Sequence, residues 1–429
     1  MINTAKMSFS NIIMYLLPIV VTPILSRLYS PDSFGEWGVF SSFITILTVG
    51  LFLGLDNTIV KAKDNQLKGI IALCLFVGIL VSLVTGGIFL IGNLLNLRFF
   101  ATFPCADMLF LYLFFYVLYT IFFNLCNRFE MYGVIASVNV VQGLSQSVFR
   151  ILLGMFCVTA INGLIIGTTI AEGVSAILLV VYLILYKVKI GGYNITRNYF
   201  KKLLCEYKNF PLYDAPSSVL AFAAFNLPTI ILAMYFDKAS IGCFSIVLQL
   251  LLLPMSFIGN AIGKVYYQEI CKDGDVANRT NKVVRITAVI SILPMFILAC
   301  GGDKIVVWFL GSEWETAGNV ALCLSLWSFP TILTQPLIPL FRALNSQRYL
   351  LLFDVMYFIC GIGSILVCCQ FIDNLFVILI VYAVVCAIVK LMMFMKIIKL
   401  GNVYMASWMR VLPLWLISCV ILLFRLLSL

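Results

Sequence analysis

The chain has 429 residues, of which 63% are hydrophobic and 11% charged, with a formal net charge of +10 and no histidine. A soluble domain has about 45–50% apolar and about 25% charged residues, so this surplus requires lipid as its solvent. The absence of histidine excludes a His general base, a His-based triad and a His metal site, and no GxxxxGK loop followed by Ser or Thr is present to cradle ATP.

Apolar runs of about 20 residues, long enough to cross ~30 Å of hydrocarbon, follow one another along the sequence. The first six are Ser8–Arg27, Glu36–Thr58, Gly69–Gly92, Asp107–Cys126, Val134–Val158 and Ile161–Tyr186. Ser8–Arg27 is preceded by a single Lys and followed by no small-x-small cleavage pattern, so it reads as a retained membrane helix. A second set comprises Pro211–Tyr235, Cys243–Tyr267, Val283–Gly302, Val320–Phe341, Leu350–Gln370 and Leu375–Met395. Val411–Leu429 is a further apolar run, readable either as a thirteenth span or as a helix lying in the interface. The 14 cysteines are scattered through these segments without a CxxC pair and read as small hydrophobic side chains, so neither metal nor cofactor is expected.

The halves repeat. YSPDSFGEWGVF (Tyr29–Phe40) aligns with FDKASIGCFSIV (Phe236–Val247), placing Ser33 on Ser240, Gly35 on Gly242 and Trp37 on Phe244. The expected fold is an all-α polytopic membrane protein of about 12 transmembrane helices in two parallel six-helix lobes, with an extra C-terminal membrane helix as an option. The expected divisions are 1–186 for the N-terminal lobe, 187–210 for a basic cytoplasmic linker, 211–395 for the C-terminal lobe and 396–429 for the extra apolar segment. Two matched membrane halves point to a transporter whose substrate site lies between them.

With the N-terminus in the cytoplasm, Lys and Arg fall about four to one on the cytoplasmic side. Lys6, Lys68, Arg128, Lys201, Lys264, Lys272, Arg342 and Lys399 lie inside, against only Arg27, Arg98, Lys238, Lys304 and Arg425 outside. The positive charge is thus a topology signal spread over short loops, and no nucleic-acid partner is expected. The segment Lys187–Lys208 mixes aromatic and basic residues and reads as a helix on anionic lipid or as a solvated linker.

Charges inside spans are expensive, ~2.5–3.5 kcal/mol at a helix centre on insertion scales, and so point to function. Arg150 in the fifth span and Glu172 in the sixth are the clearest cases. Counted inward from the outer turn they come to nearly one level, which leaves two readings. They form a mutual ion pair, or they line a wet cavity with Arg150 as a substrate-binding charge and Glu172 as an ion-coupling group. Arg27, at the outer end of the first span, is either an interfacial anchor or a second substrate-binding charge. Asp56 and Asp214, near cytoplasmic span ends, are further ion-coupling candidates, although carboxylates there and at Asp354 are more often interfacial caps. Lys390 lies about a turn from a cytoplasmic end and is expected to snorkel. Prolines concentrate in the first, seventh and tenth spans, and GLFLG (Gly50–Gly54) and GNAIG (Gly259–Gly263) give GxxxG spacing in the paired second and eighth spans.

Three blocks carry a family resemblance: SRLYSPDSFGEWGVFSSF (Ser26–Phe43), the stretch Phe236–Ile270, and FLGSEWETAGNVALCLSL (Phe309–Leu326). They resemble bacterial polysaccharide exporters of the Wzx, O-antigen flippase, type, within the multidrug/oligosaccharidyl-lipid/polysaccharide superfamily. The resemblance implies two six-helix lobes, a central cationic cavity and alternating access. It also implies an undecaprenyl-pyrophosphate-linked oligosaccharide, an O-antigen or capsule repeat unit, moved across the bacterial inner membrane. Expected partners are that lipid-linked oligosaccharide, membrane lipids, and a polysaccharide polymerase and chain-length regulator. A cation-coupled multidrug exporter of the same superfamily is the alternative. A membrane enzyme of polysaccharide assembly is remote, because such enzymes usually show a sizeable outer loop or a membrane histidine, and this chain has neither.

Overall fold

The computed structural model describes residues 17–95, 103, 106–156, 162–186, 203–208, 210–273, 275–404 and 412–426. Among them there is no β-strand. The helices are α1 (Leu17–Leu28), α2 (Pro31–Gly50), α3 (Thr58–Lys61), α4 (Leu67–Leu94), α5 (Ala106–Arg128), α6 (Tyr132–Met155) and α7 (Gly163–Leu185). They continue as α8 (Ala215–Leu232), α9 (Lys238–Asp273), α10 (Val276–Leu310), α11 (Glu315–Thr334), α12 (Pro339–Ala343), α13 (Gln347–Phe371), α14 (Leu375–Leu400) and α15 (Leu412–Leu426). The chain is an all-α polytopic membrane protein, and the described parts of the expected spans fall on these helices; residues 8–16 of the first expected span lie outside the described residues.

The composites have local causes. α2 ends where Leu53 and Gly54 adopt positive φ, and a 3-10 turn (Leu55–Asn57) leads into α3. Gly50 ends α2 and Gly54 precedes the 3-10 turn, so the two glycines of GLFLG do not share one continuous helix face. The tenth span is interrupted by a 3-10 turn, Gln335–Leu337, between α11 and α12. Pro336 and Pro339 carry no N–H, so the helical ladder cannot run through.

The chain forms two compact units, Met1–Asn226 and Leu227–Leu429, with the boundary inside α8. Residues 187–202 and 209 of the expected basic linker lie outside the described residues. Each unit repeats the same local devices. Ser33 N–H donates to the Ser30 hydroxyl at the start of α2, and Ser240 N–H donates to the Asp237 carboxylate at the start of α9. α5 ends with Met131 N–H on the Cys126 carbonyl and Glu130 at φ 54. α12 ends with Ser346 N–H on the Phe341 carbonyl and Asn345 at φ 52. Both are Schellman-type ends, in which a left-handed residue returns the chain for an antiparallel neighbour. Asn162 caps α7 through Leu164 N–H, and Asn374 caps α14 through Phe376 N–H. The repeat legible as residue identity is thus also a repeat of capping chemistry.

Burial separates protein-facing from lipid-facing surfaces. α13 buries only Phe353, Tyr357, Gly361 and Ile365, one stripe at a spacing of four, while Leu351, Leu352, Ile359 and Val367 stay exposed. An apolar helix exposed on most of its surface is suited to hydrocarbon. α11 is buried nearly all round and forms the centre of the second unit. α15 has 15 residues, so it is about 22 Å long, short of the ~30 Å hydrocarbon core. It packs on the second unit through an Arg425–Asp303 ion pair of 2.6 Å and through Trp415 against Phe329.

Candidate functional site

In the first unit, the residues around YSPDSFGEWGVF assemble around Arg150. The Tyr29 hydroxyl donates to the Arg150 main-chain carbonyl at 2.7 Å, and the Asn162 amide donates to the Ser33 carbonyl. These two bonds tie the start of α2 to α6 and to the cap of α7. The Arg150 guanidinium lies over the Trp37 ring, 4.8 Å from its centroid, and Nη2 donates to Thr168 Oγ1 at 2.7 Å. A cation over a tryptophan face is stabilised by the ring quadrupole, by ~2 kcal/mol or more when desolvated. Arg150 is 7% exposed.

Glu172 is 5% exposed and one of its oxygens, Oε2, accepts from Gln142 Nε2 at 2.8 Å. No ion pair joins it to Arg150, which corrects the pairing considered from sequence. The cause is register. Arg150 stands against Gly167 and Thr168 of α7, so the residue opposite Glu172 lies near Ser145. The four- to five-residue difference is about 7 Å along the helix axis.

Four buried polar atoms in this region have no hydrogen-bond partner: Trp37 Nε1, Arg150 Nε, Gln142 Oε1 and Glu172 Oε1. Each such atom costs ~1–3 kcal/mol of desolvation, so a cluster of them marks a place kept for something other than stability. They sort by chemistry. Two donors, on Trp37 and Arg150, suit an anionic oxygen. Two acceptors, on Gln142 and Glu172, suit a proton, a cation or water. Tyr112 of α5 lies within electrostatic reach of both Arg150 and Glu172, and stacks on Tyr116 at 6.2 Å.

The close approach of α6 and α7 depends on glycine. A Cβ at Gly167 would lie 2.8 Å from Arg150 Cγ and 3.0 Å from its main-chain N. Gly167→Ala should therefore push the helices apart and lower stability by ~1–3 kcal/mol. Gly87→Ala, where nothing lies within 4 Å, should not destabilise. Thermal unfolding of the two detergent-solubilised variants measures this; equal melting temperatures would disprove the packing argument.

Arg27 is exposed, with Nη1 turned back onto the Pro23 carbonyl at 2.6 Å. Asp56 is half-buried in the 3-10 turn after α2, within electrostatic reach of Cys74 and Tyr116. Asp214 ends a π-helical turn, Phe210–Asp214, and its side chain lies outside the described residues. Lys390 does not snorkel: it is 6% exposed, with Nζ 4.8 Å from the centre of the Tyr357 ring, and Tyr357 accepts from Trp327 Nε1 at 2.9 Å. Sequence reasoning missed Gln142, Thr168 and this second buried cation. The signal for Gln142 was present, since Asn139, Gln142, Gln146 and Arg150 share one face of α6 at spacings of three and four. Among the described residues no group of His, Cys, Asp or Glu could hold a metal ion.

This architecture is that of a polytopic all-α membrane chain with charged residues buried within its spans. Its fold is similar to a structure of the lipid II flippase MurJ in an inward closed conformation, at TM-score 0.75 and 12% identity over 98% of this chain and 97% of that one. It is also similar to an inward-facing multidrug resistance MATE family transporter of the MOP superfamily, at TM-score 0.63 and 14% identity over 91% and 95%. A third similar structure is a MOP superfamily transporter from Pyrococcus furiosus, at TM-score 0.52 and 13% identity over 92% and 95%. No curated protein matches the chain by sequence. The signature of the polysaccharide biosynthesis protein family covers residues 24–319, and the chain belongs to that family.

Proposed function

We propose that the protein is a flippase that moves an undecaprenyl-pyrophosphate-linked oligosaccharide across the bacterial inner membrane by alternating access. The observation that carries this reading is the buried Arg150 guanidinium, set against Trp37 and Thr168 with no carboxylate pairing it, in a chain of the polysaccharide biosynthesis family. An unneutralised cation in a span is suited to an anionic substrate group such as a pyrophosphate. Arg27 is the second substrate-binding residue in this reading. Glu172, Asp56 and Asp214 are the groups through which a proton or cation would be coupled. The two lobes flank the basic segment 187–210, and the polysaccharide polymerase and chain-length regulator are the partners that would take the product. No catalytic chemistry is assigned.

The test is export of surface polysaccharide in a strain lacking its own exporter, supplied with this chain. Accumulation of lipid-linked repeat units on the cytoplasmic face without the chain, and their clearance with it, is the expected result; unchanged accumulation would refute the reading. The second reading is cation-coupled multidrug export, favoured by the similarity to the MATE fold and by the unpartnered Glu172 oxygen. It predicts drug resistance conferred by the chain with no effect on polysaccharide.

The Lys/Arg distribution predicts topology. Cysteines introduced at Lys201 and Lys399 of a Cys-depleted variant should resist an impermeant reagent added to intact cells, whereas those at Lys238 and Glu313 should react. Labelling of the Lys201 position from outside would invert the assignment.

A further inference from the structure

The second unit holds a cleft of about 430 Å³ on α9, walled by the broken segment of the tenth span. Its floor is backbone. A Cβ at Gly259 would collide with the Gln335 side chain, whereas one at Gly263 would make ordinary contact with the Pro336 carbonyl. Glycine at 259 therefore lets the 3-10 turn settle on α9 and leaves the cleft open beside it. Its rim is basic and polar: Lys264 and Tyr267 from α9, Gln335 from the turn, and Arg342 from α12. Among the described residues no carboxylate lines it, and neither Lys264 nor Arg342 forms an ion pair. Irregular backbone within a membrane chain is tolerated where it lines a polar cavity, which is the situation here.

The geometry points to a phosphate-binding site in this cleft, formed by Lys264 and Arg342 as the charges and by Tyr267 and Gln335 as hydrogen-bonding groups. Two unpaired cations, one of them a planar fork, complement a multiply charged phosphate and would repel a cationic ligand. The site belongs to the second unit alone and uses none of the residues around Arg150. The Lys/Arg count assigns this end of α9 to the cytoplasm, so the phosphate would be received from that side. The inference rests on the flippase reading only for the carrier of the phosphate, which that reading makes a polyprenyl lipid.

The experiment uses the full chain in phosphatidylcholine nanodiscs. The probes are inorganic pyrophosphate, undecaprenyl phosphate placed in the disc, and phosphatidylglycerol. Binding is read by native mass spectrometry and by the shift in melting temperature. Wild type should bind, and Lys264→Gln and Arg342→Gln should each weaken binding roughly tenfold, the loss expected for one charge-assisted hydrogen bond. Lys264→Arg and Arg342→Lys should retain most of it, and Lys399→Gln should match wild type. Both target side chains are exposed, so the variants should fold. Preference for undecaprenyl phosphate identifies a lipid carrier, saturation by pyrophosphate alone a soluble phosphate, and equal use of phosphatidylglycerol a bulk headgroup; each supports the site if the variants lose it. Equal affinity of wild type and the double Gln variant, or no binding of any probe, overturns it. A failed export assay would sink the flippase reading and leave this cleft standing, whereas unchanged binding in the double variant would do the reverse.

Discussion

Arg150→Ala should abolish most export of surface polysaccharide while the chain still inserts and accumulates in the membrane. The substitution removes the guanidinium from the Trp37 face and from Thr168. It leaves the main-chain carbonyl that Tyr29 binds, so the tie between α2 and α6 survives. Alanine is also small enough for the seat at Gly167. A guanidinium–phosphate contact is worth ~1.5–3 kcal/mol, so its loss should weaken substrate binding about 10- to 100-fold. Arg150→Lys keeps the charge and loses the planar fork, and should retain an intermediate level of export. Trp37→Leu should resemble Arg150→Lys more than Arg150→Ala, because it removes the ring and not the cation. Polysaccharide per cell, normalised to exporter in the membrane, is the measurement. Wild-type export by Arg150→Ala would remove the residue from the site.

How far the sequence carried this picture depends on the length scale of each feature. Membrane spans are long, and their signal is cumulative, so the seven long apolar helices and the shorter ones beside them were legible among the described residues. Sidedness within a span was legible only where polar residues share a face, as on α6, where one face carries Asn139, Gln142, Gln146 and Arg150. Breaks were legible where proline causes them, at Pro336 and Pro339, and misread where glycine does. Gly50–Gly54 has the spacing of a helix contact, but α2 ends at Gly50, and Gly54, at φ 74, lies in the turn beyond it. Close approach does occur at Gly259, against Gln335, and also at Gly163 and Gly167, against Tyr29 and Arg150. GxxxG states only that small residues recur on one face; what lies across that face is tertiary information. The same limit applied to Lys390. Its distance from the end of the helix allows snorkelling, but whether Tyr357 waits beside it depends on how α13 packs on α14. Depth counting for Arg150 and Glu172 failed for a related reason. It assumed both helices start at one level, and the register of α6 against α7 displaces the pair by about one turn.

That displacement makes the final prediction, a set of double-mutant cycles on purified protein. Glu172 takes its hydrogen bond from Gln142 and from no other described residue, so Gln142→Ala leaves a buried carboxylate unsupported. Losing the one hydrogen bond donated to a buried carboxylate costs ~1–3 kcal/mol. In a Glu172→Leu background the same Gln142→Ala change should cost far less, because no charge remains to be supported. The Gln142–Glu172 coupling should therefore exceed ~1 kcal/mol, in the range of contacting residues. The Arg150–Glu172 cycle should behave differently. The two side chains share no hydrogen-bond partner, so their coupling should be smaller than that of Gln142 and Glu172. Export separates role from stability. Glu172→Gln can still accept from Gln142 through its amide oxygen, so it should melt near wild type, yet export should fail if Glu172 carries a coupling proton or cation. A double Arg150→Ala, Glu172→Leu variant more stable than either single variant would show that the two charges do meet. Full export by Glu172→Gln would show that the acidic group is dispensable for transport and that its place opposite Gln142 is structural.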